Sequence, residues 1–194
     1  MRIIKGLRIV TGTFIAVLVI GGPMAYSSMR LKQIRNFRVV DEGILYRSGQ
    51  MSVKALARTI DEYRIKTVIS LRGREIEDQK PFPDEAEEKY CRNLGINYIR
   101  IRPKRWTPRE DGSIPAVENL ELFRKIMKQP KNYPVLVHCF AGIHRTGAMC
   151  ATYRIDFQNW SNENAIHELK RLGYVNLDSE GDILGYFEHY QKQK

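Results

Sequence analysis

The sequence predicts an α/β domain with a central, mainly parallel sheet flanked by helices, preceded by an N-terminal transmembrane helix. Three observations carry this expectation. Short β-branched or apolar runs alternate with segments of helical period, as in right-handed β-α-β units. The runs KTVISL (residues 66–71) and VLVH (135–138) are almost continuously apolar, as strands buried on both faces require. Residues 9–29 hold no charge over 21 positions, long enough to span a bilayer as a helix.

The elements follow in order. Residues 37–40 and 44–46 flank the turn signal Asp41-Glu42-Gly43 and read as a hairpin. Residues 52–63 carry Val53, Leu56 and Ile60 at helical spacing behind Ser52, a cap. Residues 66–71 form a strand, and 83–94 a helix with acids at its start, closed by Gly95. There Asp84 reads as a helix cap. Residues 97–102 alternate as a strand, and 103–115 form a polar loop interrupted by Pro108 and Gly112. A helix at 116–127 places Val117, Leu120, Phe123 and Ile126 on one face. The strand 135–138 leads through a Gly-containing loop into a helix reaching about Phe157. Helices at 161–172, capped by Ser161, and at about 182–191 complete the chain.

The domain boundaries expected are an anchor or signal segment at 1–29, a linker at 30–36 and a single domain at 37–194. Ala25-Tyr26-Ser27 makes a poor cleavage site and the apolar run is long for a signal peptide, which favours an uncleaved anchor. The basic residues Arg2, Lys5 and Arg8 before the run favour a cytoplasmic N-terminus, which would place the domain on the exported side. The chain carries 32 basic and 22 acidic residues; without those three the remainder is about +7. That balance suits an anionic partner. Nucleic acid is not expected, since no zinc finger, basic heptads or Arg-rich tail occurs. Three cysteines, Cys91, Cys139 and Cys150, make neither a disulfide framework nor a zinc site, and no metal or cofactor is called for.

In open parallel sheets ligands bind beyond the C-terminal ends of the strands, which directs attention to VLVHCFAGIHRTG at 135–147. A bare C-x5-R means little: with 3 Cys and 19 Arg in 194 residues, chance gives about 0.3 occurrences. The whole pattern of apolar strand, His-Cys, mid-loop glycine and Arg-Thr-Gly opening a helix is far more specific. A loop closing onto a helix N-terminus aims successive N–H groups inward. The amides of Phe140, Ala141, Gly142, Ile143, His144 and Arg145 could donate to three phosphoryl oxygens. Gly142 permits a backbone conformation that a side chain would hinder. The same positive potential favours the Cys139 thiolate. Arg145 can bind phosphate bidentately, as Lys cannot. Thr146 can donate its hydroxyl to the Cys139 sulfur, and His138 can order the loop from inside the fold.

HCFAGIHRTG resembles the signature of the protein tyrosine and dual-specificity phosphatase superfamily. LYRSGQ at 45–50, KTVISLRG at 66–73, GINYIRI at 95–101 and NWSNENAIHELKRLGY at 159–174 look like bacterial dual-specificity-type members. The resemblance covers about residues 37–192. It implies the family's α/β fold, a phosphocysteine on Cys139, phosphate binding by Arg145 and, with the exported orientation, a place in a bacterial cell envelope. It also implies a general acid in RPKRWTPREDGSIP, for which Asp111 is the best candidate and Glu110 the next; the competing reading of Asp111-Gly112 is a plain turn.

Lys104, Arg105 and Trp106 could line the mouth of the pocket or form a solvated face. Cys91 and Cys150 read as packing residues, with Cys150 as a resolving thiol the minor option. Two substrate classes compete: phosphotyrosine in protein, with phosphoserine or phosphothreonine, and a phospholipid or inositol phosphate. Apolar Phe140, Ala141 and Ile143 tilt to the first, and proximity to a membrane to the second. A silent phospho-binding module has no need of the nucleophile.

Overall fold

Five short strands place the Cys139 loop at the centre of a sheet. The computed structural model describes residues 34–74 and 81–193, and every element below belongs to the unit that begins at Arg35. The order is β1 (Arg38–Asp41), β2 (Leu45–Ser48), α1 (Val53–Tyr63), β3 (Thr67–Ser70), α2 (Glu85–Asn93), β4 (Asn97–Arg100), α3 (Pro115–Met127), β5 (Val135–His138), α4 (His144–Gln158), α5 (Asn162–Arg171) and α6 (Gly181–Glu188). The sheet runs β1-β2-β5-β3-β4. Only β1 is antiparallel to its neighbour; β2, β5, β3 and β4 are mutually parallel. The expected hairpin and parallel core are therefore both present.

The central strand β5 is hydrogen-bonded on both edges and buried along its length. Its residues alternate between two faces. Val135 and Val137 join Leu120, Phe123, Ala148 and Phe187 in the main core beneath α3, α4 and α6. On the opposite face Tyr46 meets Tyr63 of α1, ring centroids 4.9 Å apart. Helix ends follow the sequence signals: Ser52 Oγ accepts from the Ala55 amide and Ser161 Oγ from the Asn164 amide, each at 3.2 Å.

Asp84 departs from expectation. It occupies the N-cap position of α2, yet its side chain makes no capping bond. The register aligns Ser70 with Arg100 on one side and with His138 on the other, so all three point to the α2 face. Asp84 is buried there, accepting from Ser70 Oγ at 2.5 Å, Tyr98 OH at 2.7 Å and the Arg100 guanidinium at 2.9–3.2 Å. Burial alone would raise its carboxyl pKa; the Arg100, Ser70 and Tyr98 donors override this and hold it below the ordinary value. The acids of α2 thus pair with strand ends instead of serving the helix terminus: Glu88 meets Arg100 at 2.7 Å and Glu87 meets His138 Nε2 at 2.5 Å.

Among the described residues no helix is long and apolar enough to cross a membrane. The anchor expected at 9–29 lies outside the described residues.

Candidate active site

Cys139 follows the last residue of β5, and residues 139–143 curve into the first turn of α4. The loop's shape is imposed through its carbonyls. Phe140 O accepts from the Gln50 amide at 3.0 Å. Ala141 O accepts from Asn36 Nδ2 at 2.9 Å. Gly142 O accepts from Arg47 Nη2 at 2.8 Å, and the same nitrogen is 3.5 Å from Ile143 O. These oxygens are held by Arg47 of β2, Gln50 just after it and Asn36 before β1. A trans peptide directs its N–H opposite to its C=O, so the following amides turn to the concave side, where an anion would sit. Gly142 is the tightest point. Its φ is +74°, and an added Cβ would fall 2.5–2.6 Å from the Ser48 carbonyl and against the Gly49 nitrogen.

Cys139 is buried, and its Sγ accepts from the Gly142 amide at 3.2 Å. Burial pushes the thiol pKa up, but the Thr146 hydroxyl and the amides of Thr146, Gly142 and Ile143 oppose it and leave the pKa below its ordinary value. The Thr146 hydroxyl is buried in the first turn of α4, on the side of the sulfur. Cys91 and Cys150 are also buried but lack such donors; burial raises both, Cys91 to about 12.

A cavity of about 700 Å³ opens over Cys139. Its floor is Cys139, Phe140, Ala141, His144 and Arg145; its facing wall is Arg72, Arg74, Phe82, Arg100 and Arg102. No carboxylate lines it among the described residues. Arg145 is exposed, its Nη1 donating to Leu71 O at 3.1 Å. Arg100 is occupied by Asp84 and Glu88 and stacks 4.2 Å over Phe82. Arg72 lies 4.9 Å over the Phe140 ring, and Arg35 lies 4.8 Å over the same ring.

The residues singled out from the sequence fall into three groups. Cys139 through Thr146 come together, with His144 packed edge-on against Tyr174 at 4.4 Å. His138 points away from the cavity, to Glu87 on α2, so it fixes the strand end and α2 to each other. Asp111 lies apart: its exposed carboxylate accepts from the amide and hydroxyl of Ser113 at 2.9 and 2.6 Å, and neither it nor Glu110 lines the cavity. Its loop is pinned elsewhere, by Lys104 and Arg109 to Glu118 and by Trp106 on Tyr186 and Phe187. Lys104 and Trp106 border a second, smaller cavity on the other side of Arg145. Sequence reasoning missed Arg47, Asn36 and the arginine wall. LYRSGQ and KTVISLRG contain Arg47 and Arg72, but only the parallel register shows that both abut the loop.

A family model described as DSP-PTPase phosphatase fused to NAD+ kinase matches residues 30–181. The chain is 24% identical over 189 residues to the dual specificity protein phosphatase TpbA of Pseudomonas aeruginosa, covering 93% of this chain and 78% of that protein. It is 30% identical over 142 residues to the inositol diphosphatase DSP1 of Oryza sativa, covering 71% of this chain and 56% of that one. The catalytic core of the PP-IP phosphatase SIW14 from S. cerevisiae shares the fold, with a TM-score of 0.61 at 23% identity over 80% of this chain and 85% of that one.

Proposed function

This chain belongs to the DSP-PTPase phosphatase family, and we propose that it hydrolyses phosphomonoesters through a phosphocysteine formed on Cys139. The observation that carries this reading is the loop whose Phe140, Ala141 and Gly142 carbonyls are held outward around the buried Cys139 sulfur, which accepts from the Gly142 amide. Three non-bridging oxygens of a phosphoryl group fit the inward amides and the Arg145 fork. The Cys139 thiolate attacks phosphorus, the S–P bond forms and the P–O bond to the leaving group breaks. Water then attacks phosphorus and releases phosphate, with the Thr146 hydroxyl receiving the departing thiolate. The family resemblance gives protonation of the leaving oxygen to Asp111. For that role its carboxylate would have to leave Ser113 and approach Cys139. The test of the clamp is Arg145→Lys, which keeps the charge and removes the bidentate fork. It is expected to lower kcat/KM for an aryl phosphate by about 10²–10³. Undiminished turnover would refute the reading.

Phosphotyrosine in protein is the first substrate class, supported by the similarity to a dual specificity protein phosphatase. A second reading, inositol phosphates or phosphoinositides, is favoured by the arginine wall, which lies on the face opposite the apolar loop side chains. Comparing kcat/KM for a phosphotyrosine peptide and an inositol polyphosphate separates the two. If Arg102→Ala lowers only the second, the wall reads additional phosphates. Residues 9–29 are further proposed to anchor the chain, with the domain on the exported side; the support is the uncharged run and its basic N-terminal flank. Membrane fractionation with protease protection tests it: a domain shielded in spheroplasts would refute the exported orientation.

A further inference from the structure

Residues 35 and 36 fall in the segment that composition marks as a linker, yet both contact the loop around Cys139. Arg35 O accepts from the Gly49 amide at 2.6 Å, and its guanidinium covers Phe140. Asn36 donates its side-chain amide to Ala141 O across 105 residues of sequence. The backbone of Asn36 is left-handed, φ +50°, a conformation that Asn, Asp and Gly adopt more readily than other residues.

The decisive relation is that Ala141 C=O and Gly142 N–H belong to one peptide plane. The oxygen is held by Asn36 at 2.9 Å, and the nitrogen donates to Cys139 Sγ at 3.2 Å. The plane cannot rotate without breaking both bonds. Its neighbours are fixed in other ways, Phe140 O by the Gln50 backbone and Gly142 O by buried Arg47. We propose that Asn36 is a positioning residue for the nucleophile: by gripping the Ala141 carbonyl, it keeps the Gly142 amide directed at the Cys139 sulfur.

This inference rests on reading Cys139 as the nucleophile. The charged groups packed around the loop are Arg35 beside Asn36, Arg47 of β2, Arg72 and Arg74 after β3, Arg100 and Arg102 at the end of β4, Arg145 of α4, and the Glu87–His138 pair between α2 and β5. Asn36→Gly changes none of these charges, so a shift in thiolate ionisation in that variant reports on the peptide plane.

The test is the pH dependence of Cys139 alkylation by iodoacetamide, read by mass spectrometry of the Cys139 peptide, in the full chain. Asn36→Gly preserves the left-handed backbone and removes the donor. Asn36→Asp preserves backbone and size, replaces the donor with an acceptor facing Ala141 O and adds a negative charge, so its shift combines the lost bond with repulsion of the thiolate. In Asn36→Gly the alkylation midpoint is expected to rise by about one pH unit, the loss of one modest hydrogen bond to the charged form, and in Asn36→Asp by at least as much. Asn36→Gln, whose longer amide can still reach, is expected to recover part of the shift. A depressed midpoint in the wild type that stays unchanged in both folded variants would overturn the role of Asn36 alone. An ordinary thiol midpoint in the wild type would overturn the nucleophile reading, and this proposal with it.

Discussion

Gly142→Ala tests whether the loop is held against β2 as tightly as its geometry indicates. Two costs act on the alanine. At φ +74° an L side chain is disfavoured by roughly 1–2 kcal/mol. The Cβ would also press on the Ser48 carbonyl and Gly49 nitrogen, which are backbone and cannot swing aside. Overpacking of this kind costs about 1–3 kcal/mol more. The total is about 2–5 kcal/mol, or a fall in Tm of roughly 4–20 °C for a domain of this size. Gly43→Ala is the matched control. Its φ is +71°, but no atom lies within 4 Å of the added Cβ, so only the conformational cost applies. Calorimetry of both variants separates the two costs. Gly142→Ala is expected to lower Tm well beyond Gly43→Ala and to lose most turnover, since its amide meets Cys139 Sγ. Equal Tm values for the two variants would show that the Gly142 Cβ meets no rigid wall at Ser48 and Gly49.

Two further predictions concern carboxylates that the sequence weighs differently from the structure. Asp84→Asn is expected to cost about 3–5 kcal/mol in denaturant unfolding, because it leaves the Arg100 charge short of its buried partner. Asp84 has a depressed pKa in the folded state, so its contribution is complete above the ordinary value of 3.8 and lost as pH falls below it. Wild-type stability should therefore drop more steeply in that acid range than that of Asp84→Asn, and parallel pH profiles would contradict the assignment. Asp111→Asn is expected to leave kcat for an activated aryl phosphate far short of the roughly 10²-fold loss that removal of a general acid brings. A loss of that size would mean that the 103–114 loop swings over Cys139 during turnover.

The parts of this molecule legible in its sequence are those fixed by local chemistry. Continuous apolar runs gave β3 and β5, Ser52 and Ser161 marked helix starts through short-range capping, and the Cys139–Thr146 pattern marked a loop closing on a helix. Asp84 was misread because a cap and a buried ion-pair acceptor look alike in sequence; only the Ser70–Arg100–His138 register distinguishes them. Asn36 and Arg47 were opaque for the same reason, since their carbonyl partners lie about a hundred residues away. His138 was expected to order the loop from inside the fold; its bond goes instead to Glu87, on a helix whose docking no local pattern encodes. Asp111 lay in the loop where the resemblance expected an acid, and the turn it forms with Ser113 was the alternative that residue type alone allowed.

Catalysis through Cys139 is tested by hydrolysis of a small aryl phosphate by the full chain, in reductant and chelator, beside Cys139→Ser, with rapid quenching to trap the covalent intermediate. Turnover in the wild type, phosphate recovered on Cys139, and neither in the variant are the expected results. Sustained turnover by Cys139→Ser, or phosphate trapped on another residue, would contradict catalysis through Cys139.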